Sequence, residues 1–228
     1  MSDFDFAVIF DSWPLLLLGL KYTLQLTVVA TLGGIVLGTL LALARLSQYK
    51  ALSMAAAAYV NVMRSIPLLL VIFWFYFLMP IALQSLMGSE WPIAIGADRS
   101  AYITFILFEA AYFCEIMRAG IQSIPRGQVN AGYALGLNYG QSMRLIVLPQ
   151  AVRNMLPLLL TQTIILFQDV SLVSLLNVTD LVGASVKIAQ RDSRVVEMYI
   201  FVAVVYFVLS FALSMAVRQV QKRYAIIR

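Results

Sequence analysis

Residues 22–44, 65–89 and 198–217 each run without a single charged side chain. About 20 mostly apolar residues in a helix cross the hydrocarbon core of a bilayer, where every backbone N–H and C=O must find its partner within the segment. Runs of this length therefore predict membrane-spanning helices. Residues 100–117 make a further span that tolerates Glu109 and Glu115, and residues 154–168 make another that extends past Asp169 to cross fully. Five spans in one all-α bundle are expected, with no second domain, internal repeat or low-complexity tract.

Composition agrees and removes several classes of function. The chain is 62% hydrophobic and 12% charged, far more apolar than a soluble domain. Its formal net charge is +5, but the basic residues sit at the ends of apolar runs and not in an aromatic-rich basic patch, so no nucleic acid is expected as a partner. The chain has no His and one Cys, which rules out His-ligated metal sites, Ser-His nucleophiles and internal disulfides. Cys114, inside an apolar run, reads as a small packing residue.

Orientation follows from the basic residues, which are enriched in segments kept in the cytoplasm. Arg45 and Lys50 follow the first span. Arg118, Arg126, Arg144 and Arg153 lie between the third and fourth, and Arg218, Lys222, Arg223 and Arg228 close the chain. None of these segments contains an acid. The acids Asp3, Asp5, Asp11, Glu90, Asp98, Asp180, Asp192 and Glu197 fall in the alternate segments, although 177–197 also carries Lys187, Arg191 and Arg194. The pattern predicts the N-terminus outside and the C-terminus in the cytoplasm. The acidic first residues are the reverse of a cleavable leader, so the first span is expected to remain as an anchor.

The longest inside loop, 118–153, contains "NAGYALGLNYGQSMRLIVLPQ" (130–150). Pro125 is suited to start a short helix and Gly136 to end it in the left-handed conformation. Asn138 then caps a second helix with Gln141 in capping-box register, and Pro149 marks its end or a kink into the fourth span. The local signals alone fit either a helix-turn-helix platform or a connecting loop.

Residues 130–149 follow the spacing of the cytoplasmic-loop signature of ABC importer permeases, E-A-A, three residues, G, nine residues, I-x-L-P. Ala131, Gly136, Ile146, Leu148 and Pro149 match in register, while Asn130 stands at the Glu and Gly132 at the second Ala. "AAYFCEIMRAGIQSIPRGQ" (110–128), "YVNVMRSIPLLLVIFWFYF" (59–77) and "LPQAVRNMLPLLL" (148–160) resemble the polar amino-acid branch of that family. "LFQDVSLV" (166–173) and "QRDSRVVEM" (190–198) look most like its glutamate/aspartate members. The resemblance implies a type I importer permease fold in a bacterial inner membrane, with residues 130–149 docking on an ATP-binding subunit. It also implies a second permease subunit and an extracytoplasmic binding protein as partners. The sequence has no G-x-x-x-x-G-K-[ST] pattern, so ATP and Mg would be used by the partner ATPase and no cofactor by this chain.

Charges at membrane depth are costly and mark candidate functional residues. Glu115 stands three residues before Arg118, the spacing of a helical ion pair. Glu109 has no local partner and reads either as lining a path or as hydrogen-bonded structure. Asp169, with Gln168 and Ser171, either lines a path or closes a helix end. An acidic amino acid needs fixed cations, and Arg64, Lys187, Arg191 and Arg194 are available, Arg64 serving either the path or the headgroups. The leading expectation is thus a permease subunit for glutamate and aspartate working by alternating access. The rivals are a permease for another polar amino acid, an ion-gradient transporter or channel, and, least supported, an intramembrane Ser-Lys hydrolase.

Overall fold

A computed structural model describes residues 5–91 and 93–224, and among these every regular element is helical. Asp3 and Arg228, used above for orientation, lie outside the described residues, as does the side chain of Arg223. A short α1 (Ala7–Asp11) leads into α2 (Trp13–Arg45), followed by α3 (Lys50–Ser65), α4 (Leu68–Met87), α5 (Ala97–Gln122), α6 (Arg126–Ala134), α7 (Tyr139–Leu176), α8 (Leu181–Asp192) and α9 (Val195–Tyr224). Among the described residues, α2, α4, α5, α7 and α9 are long and apolar enough to cross a membrane. The second expected span is resolved more finely: Pro67 cannot donate a backbone hydrogen bond, and Ile66 is extended (φ −110°, ψ 135°), which separates α3 from α4.

The most buried span is α5, and α2 lies along it. Leu26, Ala30, Gly34, Gly38 and Ala42 recur every four residues on α2 and are all buried, the spacing of one helix face. A Cβ on Gly38 would stand 2.9 Å from the Phe113 Cβ, 3.0 Å from the Ala110 carbonyl oxygen and 3.0 Å from the Cys114 nitrogen. Between helices surrounded by lipid, where the hydrophobic effect gives little, close backbone approach of this kind supplies the attraction. Cys114 is wholly buried at this seam. The opposite sides of α2 and α9 expose Leu32, Val36, Leu40, Phe207 and Phe211, as spans facing lipid do.

At the end of the bundle away from α6, the turn after α7 brings α8 back against α2. Asp180 caps α8 by accepting from the Gly183 N–H at 2.9 Å and the Val182 N–H at 3.1 Å, and the Leu181 N–H donates to the Thr23 Oγ1 at 3.1 Å. A Cβ on Gly19 would sit 2.6 Å from the Asp180 carbonyl oxygen. Burial pushes the Asp180 carboxyl up from 3.8 to about 6, with the two backbone hydrogen bonds pulling the other way. Because the folded value is raised, the stabilisation is fully present below the unfolded value of 3.8 and is lost as pH rises through about 6. Detergent-solubilised protein is therefore expected to melt higher at pH 5 than at pH 7; of a full effect on the order of 3 kcal/mol, about half falls between these two values. Asp180→Asn should flatten that slope; a slope unchanged in the variant would assign it to other groups.

Candidate functional site

Two regions hold the residues singled out above. The first is the platform between α5 and α7. Pro125 precedes α6 with φ −58°. Gly136 has φ +78°, its N–H donates to the Tyr133 carbonyl at 2.9 Å, and the Leu137 N–H donates to the Gly132 carbonyl at 3.1 Å. This pair of bonds is the Schellman termination, which requires the left-handed residue that Gly supplies without strain. Asn138 then opens α7 with a complete capping box: the Gln141 N–H donates to the Asn138 Oδ1 and the Asn138 N–H to the Gln141 Oε1, both at 2.9 Å.

Pro149 does not end this helix. The chain passes through a π-helical turn at Met143–Val147 and continues as α7. The wider turn accommodates the missing proline N–H.

Gly132 is buried under α7: a Cβ there would stand 2.6 Å from the Ile146 Cδ1 and 3.0 Å from the Ser142 Oγ. Two signature positions therefore meet in space, and the Gly in place of Ala lets Ile146 come down onto α6. Asn130 and Ala131 are exposed, and Leu148 and Pro149 stand at the surface. Tyr133, Leu135, Tyr139 and Leu145 expose 45%, 80%, 68% and 62% of their surface, so the platform carries large exposed apolar side chains of the kind that protein contacts bury.

The second region lies within the spans. Glu115 is a hub: Arg118 donates from Nε at 2.8 Å and Nη2 at 2.9 Å, Arg45 donates to Oε1, and the Arg64 Nη1 lies 3.6 Å from Oε2. The helical pair is present, and two arginines from α2 and the end of α3 join it. Arg64 also places its guanidinium 5.3 Å from the Tyr112 ring centroid, a cation–π contact.

Beside Arg64 a cleft of about 420 Å³ opens at the break between α3 and α4. Arg64, Ser65, Tyr112, Gln162 and Asp169 line it, so a cation and a carboxylate far apart in sequence share one cavity. Asp169 makes no side-chain cap, and a 3-10 turn, Val170–Leu176, follows it within the same helical rod. Glu109 lies behind this cleft, wholly buried, where the Gln162 Nε2 donates to its Oε2 at 3.1 Å and more weakly toward Oε1 at 3.4 Å.

Gln168 and Ser171 face elsewhere. They border a separate cleft of about 480 Å³ against α9, where the Gln168 Nε2 donates to the Ser210 Oγ at 3.1 Å. The remaining cations are engaged in structure: Lys187 with the Thr179 Oγ1, Arg191 with Ser12 and Asp192, and Arg194 with Asp5 and Glu197. Sequence reasoning missed Gln162, Tyr112 and Arg45. A polar Gln inside the fourth apolar run was a usable signal for the first; nothing local pointed to the others.

A bundle of five spans with a capped helical platform at one end and a charged cleft between its central helices defines the membrane subunit of a binding-protein-dependent importer. The chain belongs to the family described as the binding-protein-dependent transport system inner membrane component, whose model matches residues 34–226. It is 49% identical over 225 residues, 99% of this chain and 100% of the relative, to a glutamate/aspartate import permease of Escherichia coli O157:H7. It is 34% identical over 95% of its length, and 96% of the relative's, to a probable glutamine ABC transporter permease of Bacillus subtilis. Among solved structures, an amino acid ABC transporter crystallised with histidines matches with a TM-score of 0.87 and 30% identity, covering 96% of this chain and 98% of that one. A methionine ABC transporter in an inward-facing conformation shares the fold, with a TM-score of 0.66 at 22% identity. The chain is accordingly a multi-pass inner-membrane permease subunit of an ABC amino-acid importer, and ATP hydrolysis belongs to a separate subunit.

Proposed function

We propose that this subunit carries glutamate and aspartate across the inner membrane. The observation that carries the reading is the 49% identity, over essentially the whole of both chains, to a glutamate/aspartate permease. The cleft gives it chemical sense. An acidic amino acid brings two carboxylates and one ammonium; Arg64 offers a planar set of donors for a carboxylate, and Asp169 offers acceptors for the ammonium. Their common lining of one cavity supports both residues as part of the path.

In this reading residues 1–228 form one permease domain with the N-terminus outside and the C-terminus cytoplasmic. The loop at about 118–153 is the coupling element. It docks on one ATP-binding subunit, a second homologous permease completes the cavity and docks on the other, and an extracytoplasmic binding protein delivers substrate. Closure of the ATPase dimer on ATP and Mg pushes the platform. Gly132 packs under Ile146 and the helix of Ile146 is continuous with that of Asp169, so the push has one unbroken helix along which to reach the cleft.

Uptake of labelled glutamate by the complete transporter in vesicles, in competition with unlabelled glutamine, tests the assignment. Glutamate and aspartate should compete far better than glutamine. Arg64→Gln should raise KM for glutamate about ten- to a hundred-fold, the worth of a hydrogen bond between charged groups, with a smaller effect of the same kind for Asp169→Asn. Glutamine competing as well as glutamate would overturn the substrate assignment, and parental KM in both variants would remove the cleft from the path.

A further inference from the structure

The geometry points to Glu109 as a positioning residue that sets which end of the Gln162 amide faces the cleft; this rests on the reading of that cleft as the substrate path. Gln162 lines the cavity and Glu109 does not. Glu109 is fully enclosed between α2, α5 and α7: its Cβ is what a Cβ on Gly34 would meet at 3.1 Å, and Gln162 is the partner its carboxylate oxygens meet on the other side.

The Gln162 NH2 is the amide end turned toward the two Glu109 oxygens, and a carboxyl group keeps a carbonyl acceptor for it in either protonation state. With that group held by Glu109, the carbonyl oxygen of Gln162 is the end left for the cavity. It then stands on the same helix as Asp169, two turns away, as a second acceptor for an ammonium. A free glutamine would present donor and acceptor with equal ease, and the donor would oppose a bound ammonium. The buried carboxyl group thus makes an ambiguous side chain into a fixed acceptor, and a polar group at membrane depth has a function even though substrate never touches it.

Kinetics of glutamate uptake by the reconstituted complete transporter separate the possibilities. Gln162→Ala should raise KM about ten-fold with little change in Vmax. Glu109→Met removes the acceptor while keeping side-chain length, and should raise KM several-fold. Glu109→Gln keeps the packing but lets the facing amides pair either way round; with about half of the molecules competent, KM should roughly double. In the Gln162→Ala background both Glu109 variants should be silent, because the group they orient is gone.

Glu109 variants whose effects persist undiminished beside Gln162→Ala, or that leave KM at the parental value while Gln162→Ala raises it, would overturn the positioning role and leave the cleft intact. Parental KM in Gln162→Ala itself would instead remove Gln162 from substrate contact, and the inference with it. Should Glu109→Met fail to assemble, the two-fold effect of Glu109→Gln and its disappearance beside Gln162→Ala decide the matter alone.

Discussion

Gly136→Val is expected to abolish substrate-stimulated ATP hydrolysis and uptake while the subunit still inserts into the membrane. The glycine has φ +78°, and a Cβ built on it meets nothing within 4 Å, so the penalty is backbone strain and not collision. A β-branched residue in the left-handed region costs on the order of 1–2 kcal/mol or more, and the chain escapes it by giving up the two hydrogen bonds that end α6. The capping box at Asn138 then starts α7 from a displaced position, and the two helices of the platform lose their fixed relation. Gly136→Asn is the informative control, because Asn tolerates left-handed backbone, and it should retain most of the coupling. ATPase stimulation, uptake and co-purification of the ATP-binding subunits, measured together, check the expectation. Parental values in Gly136→Val would reduce residues 130–149 to a connecting loop.

Gly38→Val is expected to act on a different property, the existence of the folded bundle. Its Cβ would meet the Ala110 carbonyl and the Cys114 nitrogen, both backbone atoms, at 3.0 Å, and backbone cannot move aside as the tip of a side chain can. Helices α2 and α5 must separate along the seam that also buries Gly34, Phe113 and Cys114. Over-packing of this kind costs typically 1–3 kcal/mol and more where no rotamer relieves it. Thermal unfolding in detergent and the yield of assembled transporter should both fall sharply. Gly140→Ala makes the contrast: its nearest neighbour is the Asn138 Oδ1 at 3.5 Å, it lies in a helix, and stability should hold or rise slightly. A Gly38→Val protein that melts with the parent would mean that the two helices do not approach as closely as described.

The three glycines spaced four apart in the platform show how far a pattern can be read. Gly132 makes room for Ile146, Gly136 turns the chain, and Gly140 is unconstrained. The turn was legible because its cause is local: a left-handed residue, two backbone hydrogen bonds and a capping box all fall within a few consecutive residues. Gly132 was legible only as a departure from a signature, since its reason lies on the next helix. The close approach of α2 and α5 at Gly34 and Gly38 gave no chemical signal, because small residues in an apolar span look alike whether or not another backbone passes over them.

What the sequence determined by itself was set by solvent and by short-range geometry. Long uncharged runs leave the backbone no choice but helix in lipid, proline and glycine punctuate where N–H groups or ordinary φ values are missing, and Glu115 and Arg118 meet because they are three residues apart on one helix. What only the tertiary structure decided was which side chains from different helices meet. Arg45 and Arg64 joined Glu115, Gln162 reached Glu109, Arg64 and Asp169 came to one cleft, and Gln168 and Ser171, next to Asp169 in sequence, turned to another. A helix turns about 100° per residue, so neighbours in the chain face different partners, and which partner waits on each side is fixed by the packing of the whole bundle.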